Sequence, residues 1–273
     1  MAYNLLKGKR GIIFGALDEK SMAWQIAIRC FEEGATFTLS NAPIALRMGK
    51  INELSALCGN AEVIGADATS LEDLENVFTQ SIEILGGKID FVLHSIGMSP
   101  NVRKNIPYAD TNYENFLKTI DISALSFHKV MQSAMKLDAL NEWASVVGLS
   151  YIAAQRTFPG YNDMADAKAM LESIARSFGL QYGFKKKVRV NTVSQSPTKT
   201  TAGSGVSGFD AFYHYAEKLS PLGNASAEEC ADYVVTLFSD LTRKVTMQNL
   251  FHDGGFSFTG VSTELVEQMM MNK

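Results

Sequence analysis

Cysteine is scarce in this chain: three residues in 273, at positions 30, 58 and 230, with no Cys-x-x-Cys pair among them. That scarcity excludes a disulfide framework and a thiolate zinc site, and it places the protein in a reducing compartment, the cytoplasm. No metal site is expected. The N-terminal stretch MAYNLLKGKRGIIFG has no apolar run long enough for a signal peptide or a membrane span. An excess of charge of one sign is also missing. Lys and Arg number 25 against 29 Asp and Glu, and a net charge of −4 gives no reason to expect nucleic acid as a partner. Repeats, low-complexity tracts and linkers are absent too, so residues 1–273 read as a single domain.

What is present alternates. Apolar β-type runs occur at GIIFG (11–15), TFTLS (36–40), EVIGAD (62–67), FVLHSIG (91–97), ASVVGLS (144–150), RVNTVS (189–194) and NLFHDGG (249–255). Helical patterns fill the spaces, at 21–33, 71–85, 112–136, 164–182 and 226–239. Fully apolar strands separated by helices predict a parallel sheet covered on both faces, a Rossmann-type doubly wound α/β fold of about seven strands. The rhythm breaks once, at QSPTKTTAGSGVSGFDAFYHYAEKLSPLGNA (195–225). This segment reads as a loop with a short helical insertion, and residues 197–215 are placed to act as a lid beyond the strand ends.

Two motifs are missing from the places where such a fold usually carries them. After the first strand the chain reads GALDEKSMAWQIA, which is not G-x-G-x-x-G: only Gly15 remains, and Gln25 occupies the third glycine's place. The helix start still offers free N–H groups and a positive dipole end to a pyrophosphate, with Ser21 suited to cap the helix or bind phosphate. Asp67, after the third strand, can accept a hydrogen bond from an adenine amino group or cap the helix that follows. Ser95, Ile96 and Gly97, after the fourth strand, can approach an adenine ribose. Pro197 and Thr198, after the sixth, can meet a nicotinamide carboxamide. His94 reads as a packed or hydrogen-bonded histidine. The second strand ends at Ser40-Asn41 without an acidic residue for a ribose 2′-hydroxyl, so NADH and NADPH both remain open.

The other missing motif is Tyr-x-x-x-Lys. Ala165 stands four residues after Tyr161, and the lysine comes at 168. Seven positions are almost two helical turns, which would put Tyr161 and Lys168 on one helix face. A phenol and an ammonium beside a cofactor can donate to an oxygen that gains charge during a reaction.

Taken together, Gly15-x5-Ser21-x-Ala23, His94-Ser95-Ile96-Gly97, Asp121-Ile122-Ser123, Leu149-Ser150-Tyr151, Tyr161-x6-Lys168 and His252-Asp253-Gly254-Gly255-Phe256-Ser257 resemble the bacterial enoyl-acyl carrier protein reductases. These form a divergent branch of the short-chain dehydrogenase superfamily, and the resemblance runs from about residue 6 to about 258. It implies a homotetramer that reduces 2-enoyl thioesters carried on acyl carrier protein, with NADH or possible use of NADPH. It also implies catalytic roles for Tyr161, Lys168 and Tyr151. The implied cofactor contacts are Gly15, Ser21, Met22, Asn41, Asp67, Ala68, Ser95, Ile96, Gly97, Lys168, Pro197, Thr198 and Thr200. An acyl chain would meet Met98, Tyr151, Tyr161, Met164, Val206 and Phe209. Gln25, Ser196 and Met247 replace glycines usual in relatives, and GVSGFDAFY lacks the basic residue expected near carrier-protein docking. Two alternatives are a carbonyl reductase of the same fold and a non-catalytic nucleotide-binding relative.

Overall fold

The computed structural model describes residues 2–201, 203 and 208–271. Its strands are β1 (Arg10–Phe14), β2 (Thr36–Asn41), β3 (Val63–Gly65), β4 (Ile89–His94), β5 (Leu140–Ser150), β6 (Arg189–Gln195) and β7 (Asn249–His252). Its helices are α1 (Met22–Glu32), α2 (Pro43–Met48), α3 (Ile51–Leu57), α4 (Leu71–Leu85), α5 (Pro100–Arg103), α6 (Tyr113–Ile120), α7 (Ser126–Lys136), α8 (Asn162–Lys186), α9 (Phe209–Leu219), α10 (Ala227–Phe238) and α11 (Thr263–Met271). The seven strands form one parallel sheet in the order β3-β2-β1-β4-β5-β6-β7. All seven expected runs are strands, and the doubly wound fold is the observed one.

The order follows from which faces are apolar. Strands buried on both sides need helices above and below. One layer packs Trp24, Ile26 and Cys30 of α1 and Val234 and Phe238 of α10 against Ile13, Leu39 and Leu93. The opposite layer packs Leu74 and Phe78 of α4, Phe127 and Val130 of α7 and Leu171 and Phe178 of α8 against Ile12, Val92 and Val146. The region expected as one helix at 112–136 is α6 and α7 joined by a π-turn, Asp121–Leu125. The region expected at 164–182 is longer and begins at Asn162.

The connections at the carboxyl ends of β1 and β4 run away from each other, because β2 lies on one side of β1 and β5 on the far side of β4. That divergence opens a crevice where ligands bind in such sheets. The same edge receives the turns after β5 and β6. Residues 198–201, Gly203 and the first part of α9 lie within the segment expected as a lid, and Val206 lies outside the described residues.

Phe127 is wholly buried between Gly148 of β5 and the ring of His94, 5.2 Å away. Phe127→Ala should cost about 3–5 kcal/mol, seen as a drop of roughly 10 °C in Tm.

Candidate active site

The first wall of the crevice is backbone. Gly15 closes β1 at φ 98°, and a Cβ there would lie 2.1 Å from the carbonyl oxygen of Ser95. The turns after β1 and β4 therefore touch directly, and only glycine permits it. Ser21 precedes α1 but does not cap it: its Oγ donates to Asp18 O at 2.8 Å and accepts from Leu17 N at 3.3 Å. The side chain that could have satisfied the first helical N–H groups is spent on the loop, which leaves that helix end free to face an anion. Gln25, in a glycine's place, closes the same loop by donating to Glu19 O at 2.9 Å.

Other expected cofactor contacts surround this turn. Asn41 ends β2 with its amide donating to Ala16 O at 2.8 Å. Asp67 Oδ1 accepts from Thr69 N and Oγ1, both at 2.8 Å, so it serves the turn before α4. Ala68 stands beside it and packs on the α4 side of the core. After β6, Thr198 Oγ1 donates to Ser196 O at 3.0 Å, and Thr200 Oγ1 accepts from Gly203 N at 2.9 Å. Thr201 reaches across to Asp18 Oδ2 at 2.6 Å, tying the segment after β6 to the loop after β1. Uncapped helix end, close-packed glycines and a roofing segment together fit a dinucleotide.

The second wall is built on α8. Tyr161 does not share a helix face with Lys168. Asn162 takes a left-handed φ of 43°, so the helix begins after the tyrosine, which sits in the preceding turn. That strained residue is held by Asn162 Nδ2 donating to Ile106 O at 2.7 Å. Lys168 lies inside the helix, buried, with Nζ donating to Leu149 O at 2.7 Å. Burial lowers its pKa to about 8, opposed by the charge of Glu172. A Cβ on Gly97 would lie 2.7 Å from Met164 Cε and 3.7 Å from Lys168 Nζ, so the turn after β4 backs directly onto both side chains.

Tyr151 follows β5 and faces Tyr161, with ring centroids 5.1 Å apart. Burial raises both phenols well above their ordinary pKa, so each keeps its proton at neutral pH. His94 is a packed histidine as expected. Its Nε2 meets Ser126 Oγ at 2.8 Å; that hydroxyl donates to Ile122 O, so Nε2 carries the proton. Burial drives its pKa to about 3 and keeps it neutral.

Beyond the tyrosines the lining is aromatic. Phe158 lies 5.6 Å from Tyr151 and meets Phe212 edge-on at 5.0 Å, with Phe256 6.0 Å from each phenylalanine. Of the expected acyl-chain residues, Met164 packs at Gly97, and the backbone of Met98 is held from both sides by Ser123 Oγ of the π-turn. Phe209 packs instead on Tyr213, 6.2 Å away, and on the chain at Gly203. Phe158 and Phe212 escaped the sequence reading because isolated phenylalanines carry no motif, and Phe256 was read only as part of the His252–Ser257 motif.

Two buried carboxylates on α8 also went unread. Asp163, fully buried, accepts from Ser99 Oγ at 2.7 Å, Asn101 Nδ2 at 2.8 Å and Thr119 Oγ1 at 2.9 Å. It binds the helix start to the segment just after Gly97. Glu172 is the other. The only signal either offered was an acidic residue inside an otherwise core-facing helix pattern. Ser196, which replaces a glycine, accepts from Ala225 N at 3.0 Å, and Gln195 Nε2 donates to Ala225 O and Ser226 O, both at 3.3 Å. Both ends of the 197–224 segment therefore meet at one point.

Comparison with known proteins agrees with this architecture. Residues 15–257 match a protein family described as enoyl-(acyl carrier protein) reductase. The chain is 35% identical to enoyl-[acyl-carrier-protein] reductase [NADH] 1 of Rhizobium meliloti, over 95% of this chain and 94% of that one. It is 32% identical to the corresponding NADH enzyme of Aquifex aeolicus, over 94% of each. Its fold superimposes on the crystal structure of a FabI–NADH complex from Alistipes finegoldii with a TM-score of 0.94 and 65% identity, covering 95% of this chain and 92% of that one.

Gly15→Ala should cost at least about 2 kcal/mol, because it adds left-handed strain to a backbone clash. Denaturant midpoints measure this; an unchanged midpoint would mean that the two turns do not touch.

Proposed function

The chain belongs to the enoyl-(acyl carrier protein) reductase family, and from that membership and the geometry of the crevice we infer that it reduces trans-2-enoyl-acyl carrier protein thioesters with NADH. This is the last step of the type II fatty-acid elongation cycle. The observation that carries the reading is the Tyr151–Tyr161 pair, two half-buried, protonated phenols with ring centroids 5.1 Å apart beside an aromatic cluster.

Bound NADH supplies hydride to the β-carbon. Negative charge then gathers on the thioester oxygen, and Tyr161 donates a hydrogen bond that strengthens as the charge grows, worth roughly 3–4 kcal/mol. Because burial keeps the phenol protonated, Tyr161 is a donor throughout. Tyr151 contacts the substrate and assists protonation at the α-carbon. Lys168 gives one of its three N–H donors to Leu149 O, leaving two for the nicotinamide ribose hydroxyls. Ser95, Ile96 and Gly97 pass the adenine ribose, while Gly15, Ser21 and Met22 cradle the pyrophosphate. Asn41, Asp67 and Ala68 line the adenine end, and Pro197, Thr198 and Thr200 meet the carboxamide. Met98, Met164 and Phe158 line the acyl chain. Expelling water from this lining strengthens every polar contact at the reacting carbon. A carbonyl reductase of this fold would need the lysine one turn after the tyrosine, where Ala165 stands.

The domain acts as one unit, with residues 197–215 as its lid. We assign it to the cytoplasm as a homotetramer. The three buried free thiols support the first assignment. Exposed apolar side chains on α8 (Met170, Leu180, Phe184) support the second. Among the described residues, no helix is long and apolar enough to cross a membrane.

Following NADH absorbance with crotonyl-coenzyme A or a longer 2-enoyl thioester tests the assignment, and absence of turnover would sink it. Tyr161→Phe should lower kcat about 100-fold with NADH affinity unchanged. Lys168→Ala should weaken NADH binding at least about 10-fold.

The lysine also sets a pH limit. Its pKa of about 8 means that the gripping ammonium is present below that pH and lost above it. NADH affinity, followed by fluorescence titration, should therefore fall as pH rises through 8, and a flat profile would contradict the grip.

A further inference from the structure

Glu172 sits one turn after Lys168 on α8, 5% exposed, and has no part in the chemistry above. Burying a carboxylate costs several kcal/mol unless charge and donors meet it. Here both oxygens are met. Ser150 Oγ donates to Oε1 at 2.7 Å, and Gln155 Nε2 donates to Oε2 at 3.1 Å. Ser150 immediately precedes Tyr151, and Gln155 immediately follows the 3₁₀ turn Ile152–Ala154. One carboxylate thus holds both ends of the segment that carries the second tyrosine.

Its charge has one clear recipient. Glu172 opposes the effect of burial on Lys168. From β4, the group bearing on Lys168 is His94, which burial keeps neutral. Tyr151 and Tyr161 keep their protons. Asp121 of the π-turn pairs with Lys129 at 2.6 Å, and Asp163 of α8 is met by Ser99, Asn101 and Thr119. Glu172 is therefore the anion that answers the buried ammonium.

We propose that Glu172 is a positioning residue with two separable actions: it is the buried counter-charge of Lys168, and its two hydrogen bonds aim Tyr151. The proposal rests on the reductase reading for what the lysine and tyrosine do, so its test begins with cofactor binding, which needs no enoyl substrate.

The pH midpoint of NADH affinity is measured by fluorescence for wild type, Glu172→Gln, Glu172→Asp, Ser150→Ala and Lys168→Met. Glu172→Gln keeps the shape and removes the charge, so its midpoint should move down by about one pH unit. Glu172→Asp restores the charge and should return the midpoint to within about half a unit of wild type. Ser150→Ala leaves the charge in place; it should keep the midpoint and lower kcat about 10-fold with little change in KM for NADH. An unmoved midpoint in a folded Glu172→Gln overturns the counter-charge. If that variant does not fold, Glu172→Asp decides: a midpoint displaced by a full unit although the charge is present overturns it. An unchanged kcat in Ser150→Ala overturns the aiming of Tyr151. A midpoint that survives in Lys168→Met belongs to another group, and strikes the proposed role of the lysine itself.

Discussion

Three charged side chains of one helix, Asp163, Lys168 and Glu172, lie in the interior, and the crevice depends on how their burial is compensated. Removing a charge from water is expensive, so each must be met by donors, acceptors or an opposite charge. Asp163 is met by three side chains from the segment after β4 and from α6. Lys168 is met by a backbone carbonyl of β5, and Glu172 by the two ends of the Tyr151 turn. Compensation therefore pulls three separate stretches of chain onto α8. Two of those stretches carry Gly97 and the run Leu149–Tyr151, which is why the polar bonds that stabilise the helix also set the geometry around the reacting atoms.

The sheet supplies the frame in which this happens. With β1 and β4 adjacent and their connections diverging, the turns at Gly15 and Ser95 meet at the one place where backbone can approach a ligand from both sides. The π-turn at Asp121–Leu125 adds a further constraint by widening the α6–α7 junction, so that Ser123 can grasp the backbone of Met98 and Ser126 can meet His94. Neither contact touches the tyrosines, yet both hold the turn against which Lys168 and Met164 pack.

Much of the architecture was legible because strands buried on two faces are written largely as apolar runs, as in β1 and β4. Tyr161 and Lys168 were legible as residues but not as geometry. Spacing along a chain becomes spacing on a helix only if the helix runs through both residues, and α8 starts at Asn162, after Tyr161 and with a left-handed φ. In the run KKKVR (185–189), Arg189 is buried and donates to Leu237 O, Ser239 O and Thr242, while Lys186 pairs with Asp138. Composition alone cannot distinguish a charged side chain in water from one satisfied by carbonyls at a helix end.

By itself, then, the sequence determined what depends on local pattern: a parallel sheet, a glycine at the first turn, an uncommon tyrosine–lysine spacing, and through these the family. Tertiary structure alone decided which tyrosine turn faces which, where the aromatic lining assembles, and which charge answers Lys168. Those contacts join residues far apart in the chain, and their energies come from burial, which no single segment possesses until the others have folded around it.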